Sequence, residues 1–535
     1  MACRFIGSTD MCLETAKGLA PAFDTISTNM NNSFNSGGLA DDLGRSAALA
    51  PDKAALIHRG ETVPYRELDR NADRVAAGLH RLGVRKGDRV AFAIGNRPAF
   101  VAVHYGVMRV GALSVPLDTR IKVSELRNFL LRVDPRAIIS HESVVGGIMS
   151  AGPHSAPVFV IGKHPTARQF QEILSDSDPP RIEIAPGDPA IIAYTSGTSG
   201  IAKGVVLTHG NISSSIDQMI ELPSTRLEPS DLIYAVMPLF YIYPLSAALG
   251  VAIRTGATLL LEEAFDPRLS MQSIAANGVT VIPGTPPMFT AWLSLPPDAT
   301  FDLPMVRFAV SGGAALAPTV IARFRERFGV EIWEGYGLTE TGSVVTTTRV
   351  AEQRPGSIGK PLPGQEVRIV DHGGEDVIVG DLGELWVRGP NVFHNYWNDT
   401  EASEEAFSDD WFRTGDIAYQ DEEGYLWLVD RNQEVISVSG FKVYPVEVER
   451  VLMLHEAVAD AAVVPKPDER QGQRVHAVVV LREGSYVGEK DLIVHCTRHL
   501  ARFKVPATIE FATELPHLES GRVLKRMLGS SESAT

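Results

Sequence analysis

Thr195-Ser196-Gly197-Thr198-Ser199-Gly200-Ile201-Ala202-Lys203-Gly204 sets a run of hydroxyls and glycines ahead of a lysine. Glycines let backbone N–H groups turn inward, hydroxyls donate to phosphate oxygens, and a lysine adds a mobile positive charge. This combination suits a phosphate-binding loop. The spacing is not that of a Walker loop, in which Gly-Lys-Ser/Thr opens a helix, because Gly204 and an apolar run follow Lys203 here. With Ala190-Ile191-Ile192-Ala193-Tyr194 before it and Val205-Val206-Leu207 after it, the segment is expected to form a strand, a glycine-rich turn and a second strand.

Further blocks follow in order: Ser311-Gly312-Gly313-Ala314, Tyr336-Gly337-Leu338-Thr339-Glu340, Gly383 to Gly389, Trp411-Phe412-Arg413-Thr414-Gly415-Asp416, Asp430-Arg431, and Ser439-Gly440-Phe441-Lys442-Val443-Tyr444-Pro445. Over residues 37 to 530 the sequence resembles the adenylate-forming superfamily, in its acyl-CoA synthetase branch. The resemblance implies an α/β fold: a large N-terminal domain of layered α/β and a small β-rich part, and a small mobile α+β C-terminal domain. It divides the chain into a leader (1–36), an AMP- and acyl-binding domain (37–429), a hinge (430–433, with Gln433 at the pivot) and the mobile domain (434–535). It also implies a two-step reaction. A carboxylate attacks the α-phosphorus of ATP to give an acyl-adenylate and pyrophosphate, and the CoA thiol then takes the acyl group and expels AMP.

Carried over by resemblance, the nucleotide site comprises Thr195, Ser196, Gly197, Thr198, Gly312, Gly313, Glu334, Gly335, Tyr336, Thr339, Asp416 and Arg431. Tyr336 would stack on adenine, Thr339 donate to phosphate, Asp416 accept from the ribose, and Glu340 hold Mg²⁺, a hard cation that wants carboxylate oxygen, if adenylation occurs. Lys203, Thr339 and Glu340 are the expected catalytic groups, joined by the residue at the family's C-terminal lysine position. Gly440, Phe441, Lys442, Phe503 and Lys504 match the CoA-side segments. The acyl pocket is expected from Phe240, Tyr241, Tyr243, Leu245, Gly312 and Gly335; this apolar, aromatic lining favours a bulky hydrophobic acid.

The C-terminal lysine is where the chain departs. The matching segment reads Glu519-Ser520-Gly521-Arg522-Val523-Leu524-Lys525, which puts Arg522 at that position. A planar guanidinium cannot occupy the narrow point between two oxygens that a compact ammonium fills. The hinge reads Asp430-Arg431-Asn432-Gln433-Glu434 without the usual lysines, whereas the CoA-side segments are intact. These departures imply a ligase specialised for the second half-reaction, working on an adenylate supplied by a separate enzyme. The alternative is a complete ATP-dependent acid:CoA ligase using Arg522 or Lys525. Only 12 of the 50 basic residues are lysine, a skew that favours the alternative, although Lys203, Lys442 and Lys504 are retained. A nucleotide-binding regulator without turnover is a third reading, against which the CoA segments argue.

The positioning elements are legible from periodicity. Leu68, Ala72, Val75, Ala76, Leu79 and Leu82 recur at helical spacing, with Gly83 as a left-handed cap. Strands near 89–94 and 113–115 flank a helix near 99–110, an alternation that argues for parallel strands. A strand over 306–310 ends at Ser311 and a helix restarts at Pro318; 361–396 reads as a β-rich subdomain. Beyond 434 the expected order is strand 435–438, a helix entered through Pro445, strands 458–464 and 475–481, and a helix near 489–500.

At 535 residues, two or more domains are expected. The formal charge of −15 argues against nucleic-acid or anionic-membrane partners, so a polyanionic ligand such as ATP or CoA needs local donors. No apolar run is long enough to span a bilayer, and three cysteines form no disulfide framework, which suits a cytoplasmic protein.

Overall fold

The structure is a computed structural model that describes residues 38–528 apart from 122, 153–154, 196–202, 221, 372, 432–435, 439–440, 444, 469–471, 501 and 518–522. Two large sheets carry the first two-thirds of the chain. One has eight strands, whose inner members Leu113–Pro116, Arg89–Ala93, Ala137–His141 and Val158–Ile161 are parallel, as the strand and helix alternation requires. The other has nine, with Leu232–Ala235, Thr258–Leu261, Val281–Gly284, Phe308–Ser311 and Ile332–Tyr336 parallel to one another. One continuous apolar cluster joins the two sheets through the helices Tyr65–Arg81 and Pro98–Arg109. Leu68, Ala72, Val75, Ala76 and Leu79 are all buried, and Gly83 closes the first of these helices at φ +86°.

Pro189–Thr195 and Lys203–Thr208 pair antiparallel, as the two strands expected on either side of the glycine-rich segment. Outside that pair, Asn395–Tyr396 adds a further antiparallel strand. This corrects the sequence reading, which assigned 361–396 as a whole to the β-rich subdomain. That subdomain is a five-stranded sheet from Glu366–Val370, Gly383–Arg388, Phe407–Ser408, Trp411–Gln420 and Leu426–Arg431. A short apolar run cannot by itself announce which sheet it joins.

Residues beyond 435 build a separate sheet, Phe441–Val443, Ile436–Val438, Gly472–Leu481 and Val458–Asp468, with Thr508–Ala512 parallel to Gly472–Leu481. Helices Pro445–Met453 and Glu489–His499 pack on it around Val448, Leu452, Leu492 and Cys496. Among the described residues, no helix is long and apolar enough to cross a membrane.

Candidate active site

A cavity of about 1700 Å³ opens at the carboxyl ends of the parallel strands of the nine-stranded sheet, where chain reversals leave room for a ligand. Thr195, Gly312, Gly313, Gly335, Tyr336 and Thr339 border it together. Sequence reasoning named all six, and the fold brings them to one cavity from four separate segments. Ser196, Gly197 and Thr198 lie outside the described residues.

Strand register explains the shape of the cavity along this sheet. Ile233, Val281 and Phe308 are neighbours across three parallel strands and form one row; Pro283 and Val310 form the next, and Gly312 follows at the rim. Alternate residues on a strand share a face, so these rows line the cavity while Ile282 and Ala309 pack behind against Phe289 and Phe324. Phe240, Tyr241 and Tyr243 also line the cavity. The Tyr243 hydroxyl donates to the Val310 carbonyl at 3.3 Å, and its ring lies so close to Gly312 that a Cβ there would sit 3.0 Å from it. Leu245 is a correction: it is buried in the main core, on the side of its helical turn away from the cavity, and Ile242, Tyr243 and Ala247 border the cavity instead.

Glu340 stands one residue beyond the cavity wall. Tyr396, from the added edge strand, donates its hydroxyl to Glu340 Oε1 at 2.9 Å, and Lys203 Nζ sits 4.8 Å from the centre of the Tyr396 ring. Lys203 and Glu340 are therefore linked through one buried aromatic ring. Burial and the Glu340 charge push the Tyr396 phenol well above its usual range, so it remains a neutral donor. Tyr396 was missed in the sequence because nothing in a short apolar run signals a cross-sheet hydrogen bond. Lys203 also borders a second cavity of about 290 Å³, which shares Tyr194 and Arg132 with the first.

Tyr336 donates its hydroxyl to buried Asp416 at 2.6 Å, and Asp416 pairs across the sheet with Arg431. Neither Asp416 nor Glu334 borders the cavity. In the C-terminal unit, Lys504 is held by both oxygens of Glu447 at 2.7 Å, near Phe503. Phe441 and Lys442 lie on the strand Phe441–Val443, while Gln433, Gly440 and Arg522 lie outside the described residues. Lys525 is 2.9 Å from Glu449 on the helix Pro445–Met453, which engages its ammonium within the same unit. His517 also borders the large cavity; its Nδ1 donates to the Leu515 carbonyl at 2.8 Å and its Nε2 faces Asp460 at 3.3 Å.

A family model for AMP-binding enzymes matches residues 43–397, and one for the AMP-binding enzyme C-terminal domain matches 447–522. The chain belongs to the AMP-binding enzyme family, in its acyl-CoA synthetase branch. It is 34% identical over 517 residues to a long-chain-fatty-acid–CoA ligase of Yersinia pestis, covering 90% of this chain and 92% of that one. It is 34% identical to a feruloyl-CoA synthase of an Amycolatopsis species, covering 90% and 96%. Among solved structures it resembles an O-succinylbenzoate coenzyme A synthetase from Bacillus subtilis in complex with ATP and magnesium ion, at 30% identity and TM-score 0.80, covering 91% and 99%.

In this AMP-binding enzyme Glu334 is a buried carboxyl whose Oε1 accepts from the Leu316 N–H at 3.4 Å. Burial pushes its pKa up to about 7 from 4.5. The folded state thus holds this proton more tightly than the unfolded chain, so Glu334 costs nothing below about pH 4.5 and stability is lost as pH rises through 7. Glu334→Gln is expected to stabilise the protein by about 1–3 kcal/mol near pH 8 and to change little near pH 4.5. Denaturant melts at the two pH values check this, and an equal effect at both would contradict it.

Proposed function

We propose that this protein joins CoA to a hydrophobic carboxylic acid through an acyl-adenylate, as an acid–thiol ligase of the cytoplasm. What carries the reading is the meeting in one cavity of the nucleotide-side residues Thr195, Gly313, Tyr336 and Thr339 with the apolar rows that end at Phe308. The relatives' names, a long-chain-fatty-acid ligase and a feruloyl-CoA synthase, point to acids with a large apolar body.

In this reading the glycine loop and Lys203 hold the triphosphate, Tyr336 stacks on adenine, and Asp416 and Arg431 take the ribose. Thr339 donates to the α-phosphate, where negative charge grows as the carboxylate attacks. Magnesium, when bound, neutralises phosphate charge. Glu340 suits it: one carboxylate completed by substrate phosphate oxygens is the usual donor set, and among the described residues no cluster of three or more carboxylate, histidine or cysteine ligands competes. The carbonyl of the adenylate then lies beside Gly312, and Gly440, Phe441, Lys442, Phe503 and Lys504 bring the thiol to it once the C-terminal domain (434–535) turns about the hinge at 430–433.

A second reading restricts the protein to the thioester step, with adenylate supplied by a separate enzyme. It is favoured by Arg522 in the family lysine's place and by the engagement of Lys525 with Glu449, which leaves that lysine ill placed to substitute. The two readings separate in paired assays with a panel of hydrophobic acids: acid, ATP, Mg²⁺ and CoA in one, synthetic acyl-adenylate and CoA in the other. A complete ligase forms acyl-CoA in both. A thioester-only enzyme works from the adenylate alone, and in that case Arg522→Lys should restore acid-dependent pyrophosphate exchange by about 10²- to 10³-fold. Turnover in neither assay would remove the ligase reading.

A further inference from the structure

Asn96 joins the two large sheets at the cavity. It follows the strand Arg89–Ala93 of the eight-stranded sheet, is 4% exposed and borders the cavity. Its side chain reaches the ends of two strands of the nine-stranded sheet and the segment that follows one of them. Nδ2 donates to the Met237 carbonyl at 2.9 Å and the Glu262 carbonyl at 3.1 Å, with the Ala235 carbonyl at 3.4 Å, and Oδ1 accepts from the Leu239 N–H at 2.9 Å. Both ends of the amide are thus engaged inside the protein.

The bonds to Met237 and Leu239 have the arrangement of one rung of a parallel ladder, in which a residue donates to the carbonyl before its opposite number and accepts from the N–H after it. Here a side-chain amide stands in place of the neighbouring strand. Leu232–Ala235 has ended by then, so Asn96 takes over the support of the backbone up to Phe240. Phe240 and Tyr241 come directly after the anchored N–H; their rings are 4.4 Å apart and both border the cavity. The next residue, Arg97, pairs with Glu263, one position past the Glu262 carbonyl, and Arg59 Nη2 meets Glu263 Oε1 at 2.8 Å. The corner at 96–97 is therefore fastened to both 237–239 and 262–263, and the two rings cannot shift without breaking buried hydrogen bonds.

On the reading of this cavity as the acyl site, we propose that Asn96 determines acid specificity as a positioning residue: it fixes where Phe240 and Tyr241 stand, and so the width available to the acid's apolar body. It touches no reacting atom in this role. A segment held at 237, 239 and 262 presents its aromatic pair at one distance from the strand rows that end at Val310 and Gly312, which admits one breadth of acid. With the anchor gone, the Met237 and Glu262 carbonyls and the Leu239 N–H lose that partner, the segment moves to find others, and the width is no longer fixed.

The test measures kcat/KM for thioester formation from two sets of synthetic acyl-adenylates, of straight-chain and of aryl-substituted acids with equal carbon number, so that it does not depend on the adenylation step. Wild type should separate the sets by about tenfold or more, the discrimination an apolar pocket gives for a change in bulk. Asn96→Ala should bring the ratio to within about threefold of unity, chiefly through KM, with kcat for the better set close to wild type. Phe240→Ala should do the same, and adding Asn96→Ala to it should change the ratio no further, because the ring through which Asn96 acts is already gone. A ratio that Asn96→Ala leaves at its wild-type value, an additive shift in the double variant, or a wild type that treats both sets alike overturns the inference and leaves the ligase reading intact. Thermal melts separate the KM effect from lost stability. Where Asn96→Ala does not fold, Phe240→Ala decides: a ratio unchanged from wild type overturns the inference by itself. No thioester from any adenylate overturns both this inference and the ligase reading.

Discussion

Glu340→Gln is expected to lower acid-dependent AMP formation by about 10²- to 10³-fold while leaving thioester formation from a supplied acyl-adenylate close to wild type. The substitution removes one negative charge and keeps an oxygen for the Tyr396 hydroxyl, now 2.9 Å from Glu340 Oε1, so the local packing survives. On the proposed reading, what is lost is a carboxylate placed in advance for a hard cation beside the phosphates. Tyr396→Phe removes only the hydroxyl and leaves the ring under Lys203, so it should cost about tenfold, the worth of one hydrogen bond to a charged group. A second readout is independent of turnover: calorimetric affinity for ATP should lose its magnesium dependence in Glu340→Gln and retain it in Tyr396→Phe. Wild-type AMP formation in Glu340→Gln would remove Glu340 from the adenylation step. A thioesterification loss as large as the adenylation loss would show instead that the wall around Thr339 had collapsed.

That contrast also marks how far sequence carries. Thr195, Gly312, Tyr336 and Thr339 were legible because each sits in a motif whose residue types state their use, and strand polarity then brings such motifs to one sheet edge. The elements on which they ride were equally legible: the buried stripe of Tyr65–Arg81 with its Gly83 cap and the strand that ends at Ser311 follow from apolar spacing and glycine position. Tyr396 was not. It acts through a partner far away in sequence, Glu340, and no local period encodes a contact between an edge strand and a turn of another sheet. Leu245 shows the converse. An apolar residue beside pocket-lining aromatics is indistinguishable in sequence from a core residue, and the helical turn assigns it to the core.

Gly337→Ala should be the most damaging single methyl group in the site. Gly337 joins the strand Ile332–Tyr336 to the turn that carries Thr339 and Glu340 before the chain returns as Thr346–Thr347. A Cβ built on it lies 1.6 Å from the Ser343 carbonyl oxygen and 2.6 Å from its carbon, so backbone rather than a mobile side-chain end must move. The opposing segment has little freedom. Ser343 is buried at φ +137°, a region that L side chains rarely adopt, and the Val345 N–H donates to the Tyr336 carbonyl at 2.8 Å just beyond it. Relief therefore means breaking the hairpin register, and the loss should exceed about 4 kcal/mol, the range of severe backbone collisions. Gly335→Ala is the matched control: its added Cβ would meet nothing nearer than Val344 at 3.7 Å, ordinary contact, so its melting temperature should stay near wild type. Melts of the two variants side by side decide the matter. A Gly337→Ala protein as stable as Gly335→Ala would mean that the turn can shift by ångströms at no cost, and the placement of Thr339 and Glu340 would then owe nothing to this glycine.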